Sequence, residues 1–230
     1  MKYESFGSYS KNSTILLAFH GLPGLKSDGN RDLLKKLAQE KQVFSILISY
    51  PNLSNNSFSF LDSTHEVLET LSELVVKYKS NRWQVLGHSW GGLVALAALS
   101  RKIVSAEQVC LLSPFTRFPQ SDELLLDVLK DLKEEYPLLF DQQKDLLSIL
   151  AEVRKVEELY APFQLAAELP SQTSLYLMQA SDDQEVLAQD SKDFLAQCDC
   201  RIQYKEIKTD HSFLENRENV YQQLVEFFCV

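Results

Sequence analysis

The sequence predicts an α/β fold in which a mostly parallel sheet carries helices on both faces. Two observations lead to this prediction. Short apolar segments alternate along the chain with segments of helical periodicity, and several of the apolar segments are continuous, as expected of strands that are buried on both faces. Short connections in a strand–helix–strand order imply right-handed crossovers and parallel pairing.

The first half of the chain contains most of the predicted sheet. After a short edge segment within residues 3–10, strands are predicted at residues 14–19, 43–48, 83–86 and 108–112. Helices are predicted between them at residues 31–41, with Asn30 as the N-cap, at residues 60–78 and at residues 93–99. Loops rich in helix and strand breakers follow two of the strands, at residues 20–24 and 50–59.

The alternation stops at residue 115 and resumes after residue 170. In between, apolar side chains recur at helical spacing between prolines: Leu124, Val128, Leu132, Leu147, Leu150, Val153 and Val156. This pattern predicts a helical insertion over residues 115–170 in a core made of residues 1–114 and 171–230. The core resumes with a predicted strand at 174–180, a helix at 185–197, a strand at 201–207 and a helix at 217–228.

Composition excludes several classes of function. The 230 residues carry a net charge of −9, which disfavours nucleic acid and anionic membrane surfaces as partners. No apolar run approaches the roughly 20 residues that span a bilayer, and residues 1–8 lack the apolar core of a signal peptide. We interpret the four cysteines as reduced thiols and expect a cytoplasmic location. The four histidines make a multi-histidine metal site unexpected, and the sequence does not specify an oligomeric state.

The most informative motif is G-H-S-W-G-G at residues 87–92. It lies between a β-prone apolar run and a helix-prone run rich in alanine and leucine. A G-x-S-x-G motif between a strand and a helix is typical of a nucleophile elbow, a tight turn that exposes the central serine beside a helix N-terminus. The motif therefore makes Ser89 a candidate nucleophile.

A serine nucleophile requires a base and a group that orients the base. In this architecture the chain order is serine, acid, histidine. His211 is the only histidine after Ser89, and it follows the last predicted strand. The acid is expected after the strand at 174–180, where Asp182 and Asp183 are both available. His20, His65 and His88 are given no role in the chemistry.

Acyl transfer also requires donors for an oxyanion. We expect these to be the backbone N–H groups of Trp90, directly after the nucleophile, and of Leu22, in the loop after the first long strand. Such a mechanism requires neither a metal nor an organic cofactor.

Over nearly its whole length the chain resembles the α/β-hydrolase superfamily. The resemblance rests on H-G-L-P-G at residues 20–24, on residues 87–92, on residues 180–186 and on Asp210-His211. The family's acid loop often reads G-x-x-D-x-x-V, and this register favours Asp183 over Asp182 as the acid. The resemblance also implies the α/β-hydrolase fold and identifies the helical insertion as a cap over the active site. The loop at residues 50–57 lacks the family's D-x-x-G-x-G-x-S run.

The resemblance implies a serine hydrolase that cleaves an ester-like acyl bond of a small molecule. Similarity to prolyl iminopeptidases leaves a small-peptide aminopeptidase as an alternative, which would require an acidic group in the cap. Candidates for that group are Glu134, Glu135, Glu152, Glu157 and Glu158. A thioesterase and a non-catalytic binding protein on the same scaffold also remain open.

Overall fold

The computed structural model describes residues 3–10, 13–22, 29–51, 57–79, 82–137, 139–140 and 144–229. These residues form seven strands in a single sheet. The strands are β1 (Tyr3–Phe6), β2 (Ile15–Phe19), β3 (Phe44–Ile48), β4 (Trp83–His88), β5 (Ala106–Leu112), β6 (Ser174–Ala180) and β7 (Arg201–Ile207).

Eight helices occur in the same described residues and connect or flank the strands. They are α1 (Gly29–Lys41), α2 (Phe60–Tyr78), α3 (Trp90–Ser100), α4 (Asp122–Glu135), α5 (Leu146–Leu159), α6 (Pro162–Ala167), α7 (Ala188–Leu195) and α8 (Arg217–Phe228). None of the helices in this described part of the chain is long and apolar enough to cross a bilayer.

The sheet has the order β1-β3-β2-β4-β5-β6-β7 and is parallel except for β1, which pairs antiparallel with β3 at one edge. All residues of β2 and β3 are buried, which explains why their sequences are continuously apolar. Because the carboxyl ends of parallel strands meet at one edge, the loops after β2, β4, β6 and β7 lie near one another. The candidate site residues lie in these loops, except for Trp90, which is the first residue of α3.

Helices cover both faces of the sheet, and alternate strand residues belong to two separate apolar clusters. In β2, Leu17 packs with α2 and α3, whereas Leu16 packs with α1 and α8 on the opposite face. This arrangement confirms the predicted fold class, an α/β sheet covered on both sides.

The described residues between β5 and β6 form three helices, in the segment where the sequence predicts a helical insertion. α4 and α5 begin at side-chain N-caps, Ser121 and Asp145, and α6 begins with Pro162. The predicted apolar stripe of α4 is only partly buried, because Leu124 is 58% exposed and Val128 is 53% exposed. The neighbouring positions Leu125 and Leu129 are the buried ones.

Two predicted helix starts are wrong. α1 begins at Gly29, so Asn30 lies inside the helix and is not its N-cap. α7 begins at Ala188 rather than at Glu185, because the backbone N–H groups of Glu185 and Val186 donate to the Asp183 carboxylate. A side chain that binds nearby backbone donors competes with the helix for them.

Replacing Gly91 with alanine tests the close approach of α3 to β2. A methyl group at this position would overlap the carbonyl oxygens of Phe19 and His20, which belong to the backbone and cannot move aside. We expect the Gly91→Ala variant to lose about 3 kcal/mol of unfolding free energy, measured by urea denaturation followed by circular dichroism.

Gly29→Ala is the matched control. The three atoms nearest to a methyl group at Gly29 would all belong to the guanidinium of Arg217, the far end of a flexible side chain. We expect its unfolding free energy to stay within about 1 kcal/mol of the wild type. Equal stability of the two variants would contradict the proposed packing of α3.

Candidate active site

Ser89 lies in the turn between β4 and α3 and has an unusual backbone conformation, with φ 53° and ψ −126°. A non-glycine residue in this region is strained and persists only where the surrounding structure fixes it. Three backbone hydrogen bonds do so. The Ser89 N–H donates to the carbonyl of Leu112, and the Ser89 carbonyl accepts from the N–H groups of Gly92 and Phe115. The turn is therefore tied both to its own helix and to β5.

The loop after β2 lies directly against this turn. A Cβ atom on Gly21 would be 2.8 Å from the Cβ of Ser89, so only glycine allows the loop to approach so closely. His20 is buried, and its Nδ1 donates to the carbonyl of Gly21 at 2.7 Å. The hydroxyl of Tyr50 donates to the carbonyl of His20 at 3.0 Å. These contacts hold the Gly21–Leu22 segment beside Ser89.

His211 and Asp183 form a close pair, although 28 residues separate them. Nδ1 of His211 is 2.8 Å from Oδ2 of Asp183. The other carboxylate oxygen, Oδ1, accepts from the backbone N–H groups of Glu185 at 2.9 Å and Val186 at 2.8 Å. The Asp183 side chain is 1% exposed, so both of its oxygens are committed to these partners in a nearly dry environment.

The neighbouring carboxylate, Asp182, has different surroundings. It is exposed, and its Oδ1 accepts a hydrogen bond from the hydroxyl of Ser181 at 3.1 Å. Of the two acids that the sequence leaves open, the structure brings Asp183 to the imidazole.

The pKa values of Asp183 and His211 are shifted in opposite directions. Burial raises the pKa of Asp183, but the hydrogen bond and positive charge of His211 outweigh burial, and the net pKa is lowered. Burial lowers the pKa of His211, but the hydrogen bond to Asp183 and the negative charges of Glu185 and Asp183 outweigh it, and the net pKa is raised. Asp183 therefore stays ionised beside an imidazole that holds a proton more tightly than usual.

His88 connects the serine turn to the histidine loop, a role that the sequence does not reveal. Its Nε2 is 2.9 Å from the carbonyl of His211, and the two imidazole rings lie 5.1 Å apart. Desolvation and the charge of His211 lower the pKa of His88 to about 3, so this ring is neutral and donates from Nε2 to the carbonyl. The residue preceding Ser89 thus holds the backbone of His211 in place.

Ser113 is a second contributor that sequence reasoning misses. It is buried, has φ 35°, and its hydroxyl oxygen accepts from the N–H of Ala180 at 3.1 Å. Its hydroxyl also helps to keep the pKa of the Asp183 carboxyl low. No motif marks Ser113, because its role comes from the pairing of β5 with β6.

The expected oxyanion donors belong to the two segments that meet at Ser89, the start of α3 and the loop after β2. Trp90 is the first residue of α3, and the N–H groups of a first helical turn lack partners within the helix. Leu22 is half-buried and follows Gly21. Pro23 and Gly24, the rest of the predicted H-G-L-P-G loop, lie outside the described residues, as do residues 52–56 of the other predicted loop.

The indole ring of Trp90 lies in an aromatic cluster. Its centroid is 5.0 Å from that of Phe60, 5.3 Å from that of Phe115 and 6.2 Å from that of Phe118. Phe115 and Phe118 belong to the segment that leads into α4. The ring therefore packs the start of the helical insertion against α2, directly behind the serine turn.

Comparison with known proteins agrees with the fold described above. A family model described as the alpha/beta hydrolase family matches residues 15–223. The chain belongs to the α/β-hydrolase family. No curated protein sequence matches it significantly.

Solved structures show the same fold. An α/β hydrolase enzyme from the metagenome of lagoon sediments of Mar Chica, Morocco, has a TM-score of 0.70 at 20% identity, with 99% of this chain and 94% of that chain covered. An esterase from Exiguobacterium antarcticum has a TM-score of 0.71 at 14% identity, with coverages of 99% and 95%. An enol-lactonase from Burkholderia xenovorans LB400 has a TM-score of 0.70 at 13% identity, with coverages of 99% and 96%.

Histidine titration by NMR tests the electrostatics of this α/β hydrolase. We expect His88 to remain neutral down to a pH of about 3 and to carry its proton on Nε2. We expect His211 to titrate above its ordinary value, and the Asp183→Asn variant to shift that titration to lower pH because the stabilising negative charge is lost. An unchanged His211 titration in Asp183→Asn would contradict the described pair.

Proposed function

We propose that the chain is a serine hydrolase that cleaves an ester-like acyl bond of a small molecule through an acyl-enzyme intermediate. The observation that carries the proposal is the 2.8 Å contact between His211 Nδ1 and the buried Asp183, in loops that adjoin a strained serine turn. A base held by an acid beside a serine nucleophile is the arrangement that this chemistry requires.

Nucleophilic attack begins with proton transfer from Ser89. Because Nδ1 of His211 donates to Asp183, the neutral imidazole carries its lone pair on Nε2, the atom that accepts the proton of the serine hydroxyl. The Ser89 oxygen attacks the acyl carbon as the proton moves to Nε2. The ionised Asp183 stabilises the imidazolium that forms and keeps the ring oriented.

Attack at the carbonyl produces a tetrahedral oxyanion. We assign its stabilisation to the backbone N–H groups of Trp90, the residue directly after Ser89, and of Leu22, the residue directly after Gly21, which lies against Ser89. Each such donor contributes on the order of 10²–10³ to the rate. The N-terminal end of α3 adds a partial positive charge at the same point.

Collapse of the tetrahedral intermediate uses the same imidazole as an acid. His211 Nε2 returns its proton to the leaving group, which departs and leaves an acyl-Ser89. Water then attacks the acyl carbon while His211 again accepts a proton, and the free serine is restored. These steps use only side chains, backbone donors and water.

Residues 115–170 are proposed to act as the cap that shapes access to this site. Phe115 and Phe118 pack on the Trp90 ring, so the insertion is joined to the residue directly after the nucleophile. Its helices also pack against α2 through α5. The aromatic surroundings favour an uncharged acyl group.

A small-peptide aminopeptidase is the second candidate, favoured by the placement of Glu135. Among the five glutamates considered for binding an ammonium group, Glu152, Glu157 and Glu158 form ion pairs with lysine or arginine. Glu135, at the end of α4, acts electrostatically on Glu185 in the acid loop. Hydrolysis of aminoacyl arylamides in preference to esters of the same acyl group would favour this candidate.

Three variants test the proposed mechanism. Ser89→Ala is expected to abolish both labelling by a fluorophosphonate probe and hydrolysis of p-nitrophenyl acetate. Asp183→Asn is expected to lower ester turnover at least about 10³-fold, because the imidazolium loses its ionised partner. Asp182→Asn is its matched control and is expected to retain wild-type turnover, since Asp182 is exposed and bonded to Ser181.

Far-ultraviolet circular dichroism of each variant separates loss of chemistry from loss of fold. Continued ester turnover by a folded Ser89→Ala protein would overturn the proposal. Equal losses in Asp182→Asn and Asp183→Asn would overturn the assignment of the acid.

A further inference from the structure

A second carboxylate faces the imidazole of His211. Oε2 of Glu185 is 3.5 Å from Nε2, whereas Asp183 contacts Nδ1 on the other side of the ring. The ring therefore has an acidic neighbour at each nitrogen. Glu185 matches no catalytic motif, and it lies at the nitrogen through which protons are exchanged in the proposed reaction.

We infer that Glu185 is a positioning residue that holds the protonated form of His211 and thereby sets the pH above which the site becomes active. The inference rests on the proposed hydrolase function, because it concerns the base of that reaction. A carboxylate near Nε2 favours the imidazolium, and an imidazolium cannot accept the proton of Ser89.

The backbone and the side chain of Glu185 contact different groups. The backbone N–H donates to Asp183 at 2.9 Å, and any residue at this position can retain that bond. The side chain is 69% exposed and extends to His211. A side-chain substitution therefore changes the charge at Nε2 without removing the support of the catalytic acid.

The other charged and titratable groups around this pair come from several elements. Asp183 and Asp210 lie in the two loops themselves, Glu135 and Tyr136 at the end of α4 face Glu185, and His88 faces His211. Partial desolvation raises the pKa of Glu185; the nearby carboxylates raise it further, whereas His211 opposes them. The Glu185 carboxylate lies next to Nε2 of His211, so its charge affects the proton affinity of the nitrogen that exchanges the proton.

The size of the effect follows from distance and exposure. Two opposite charges about 3.5 Å apart in a water-like environment, partly screened by salt, alter a proton affinity by a factor of about three. The same pair at high salt has a smaller effect, because its exposed member is screened.

The test compares Glu185→Gln with the wild type, with Glu185→Asp as the conservative variant and Glu73→Gln as a control for net charge. Glu73 is exposed on α2. For Glu185→Gln we expect an NMR titration to show about threefold weaker proton binding at His211. We also expect Glu185→Gln to hydrolyse esters about threefold faster than the wild type on the acidic limb of the pH–rate profile, with the rate on the alkaline plateau unchanged.

Glu185→Asp keeps the charge and should restore most of the wild-type proton affinity, and Glu73→Gln should leave the profile unchanged. In 1 M NaCl the difference between Glu185→Gln and the wild type should shrink. A Glu185→Gln protein with wild-type His211 titration, or with a uniform loss of rate at every pH, would overturn the inference.

Failure of the inference and failure of the proposed function give different results. If the wild type neither reacts with a fluorophosphonate nor hydrolyses esters, the proposed function is overturned, and with it the effect on activity. The His211 titration is measured without turnover, so it still reports directly whether Glu185 stabilises the imidazolium.

Discussion

The site depends on a single constraint, the strained turn that carries Ser89 from β4 into α3. Ser89 has φ 53°. Its N–H donates to a carbonyl of β5, and its carbonyl accepts from the N–H groups of Gly92 and Phe115, so the turn is joined both to β5 and to its own helix. α3 can begin at this point only because Gly91 and Gly21 leave room for the neighbouring backbone and the serine side chain. Without this approach, the loops after β6 and β7 would not have the Ser89 turn beside them.

The sequence predicts most of the framework and the identity of the central residues. Continuous apolar strands such as residues 14–19 specify a buried parallel sheet, and a motif between strand and helix identifies Ser89. Local patterns are sufficient here because the features are themselves local. The predicted bounds of α2 and α8 also agree with the structure, since their amphipathic faces are long and regular.

Other features depend on contacts that no local pattern contains. The start of α7 is set by the Asp183 carboxylate, which takes two backbone donors that a helix would otherwise use. The link from His88 to the carbonyl of His211 spans 123 residues, and Ser113 lowers the pKa of Asp183 only because β5 and β6 are neighbours. Likewise, the buried face of α4 depends on tertiary packing: α4 packs against α5, Leu125 and Leu129 are buried, and Leu124 is exposed.

Oδ1 of Asp183 accepts hydrogen bonds from the backbone N–H groups of Glu185 and Val186, and these two bonds restrict where the chain can change in length. A residue inserted or deleted between 183 and 186 would shift those amides relative to the carboxylate and turn the acid away from the imidazole. The segment between β5 and β6 carries no such restriction, because it leaves the sheet and returns without including Ser89, Asp183 or His211. Two backbone amides thus fix the length of one loop, while a neighbouring segment of the same sheet is free to grow or shrink.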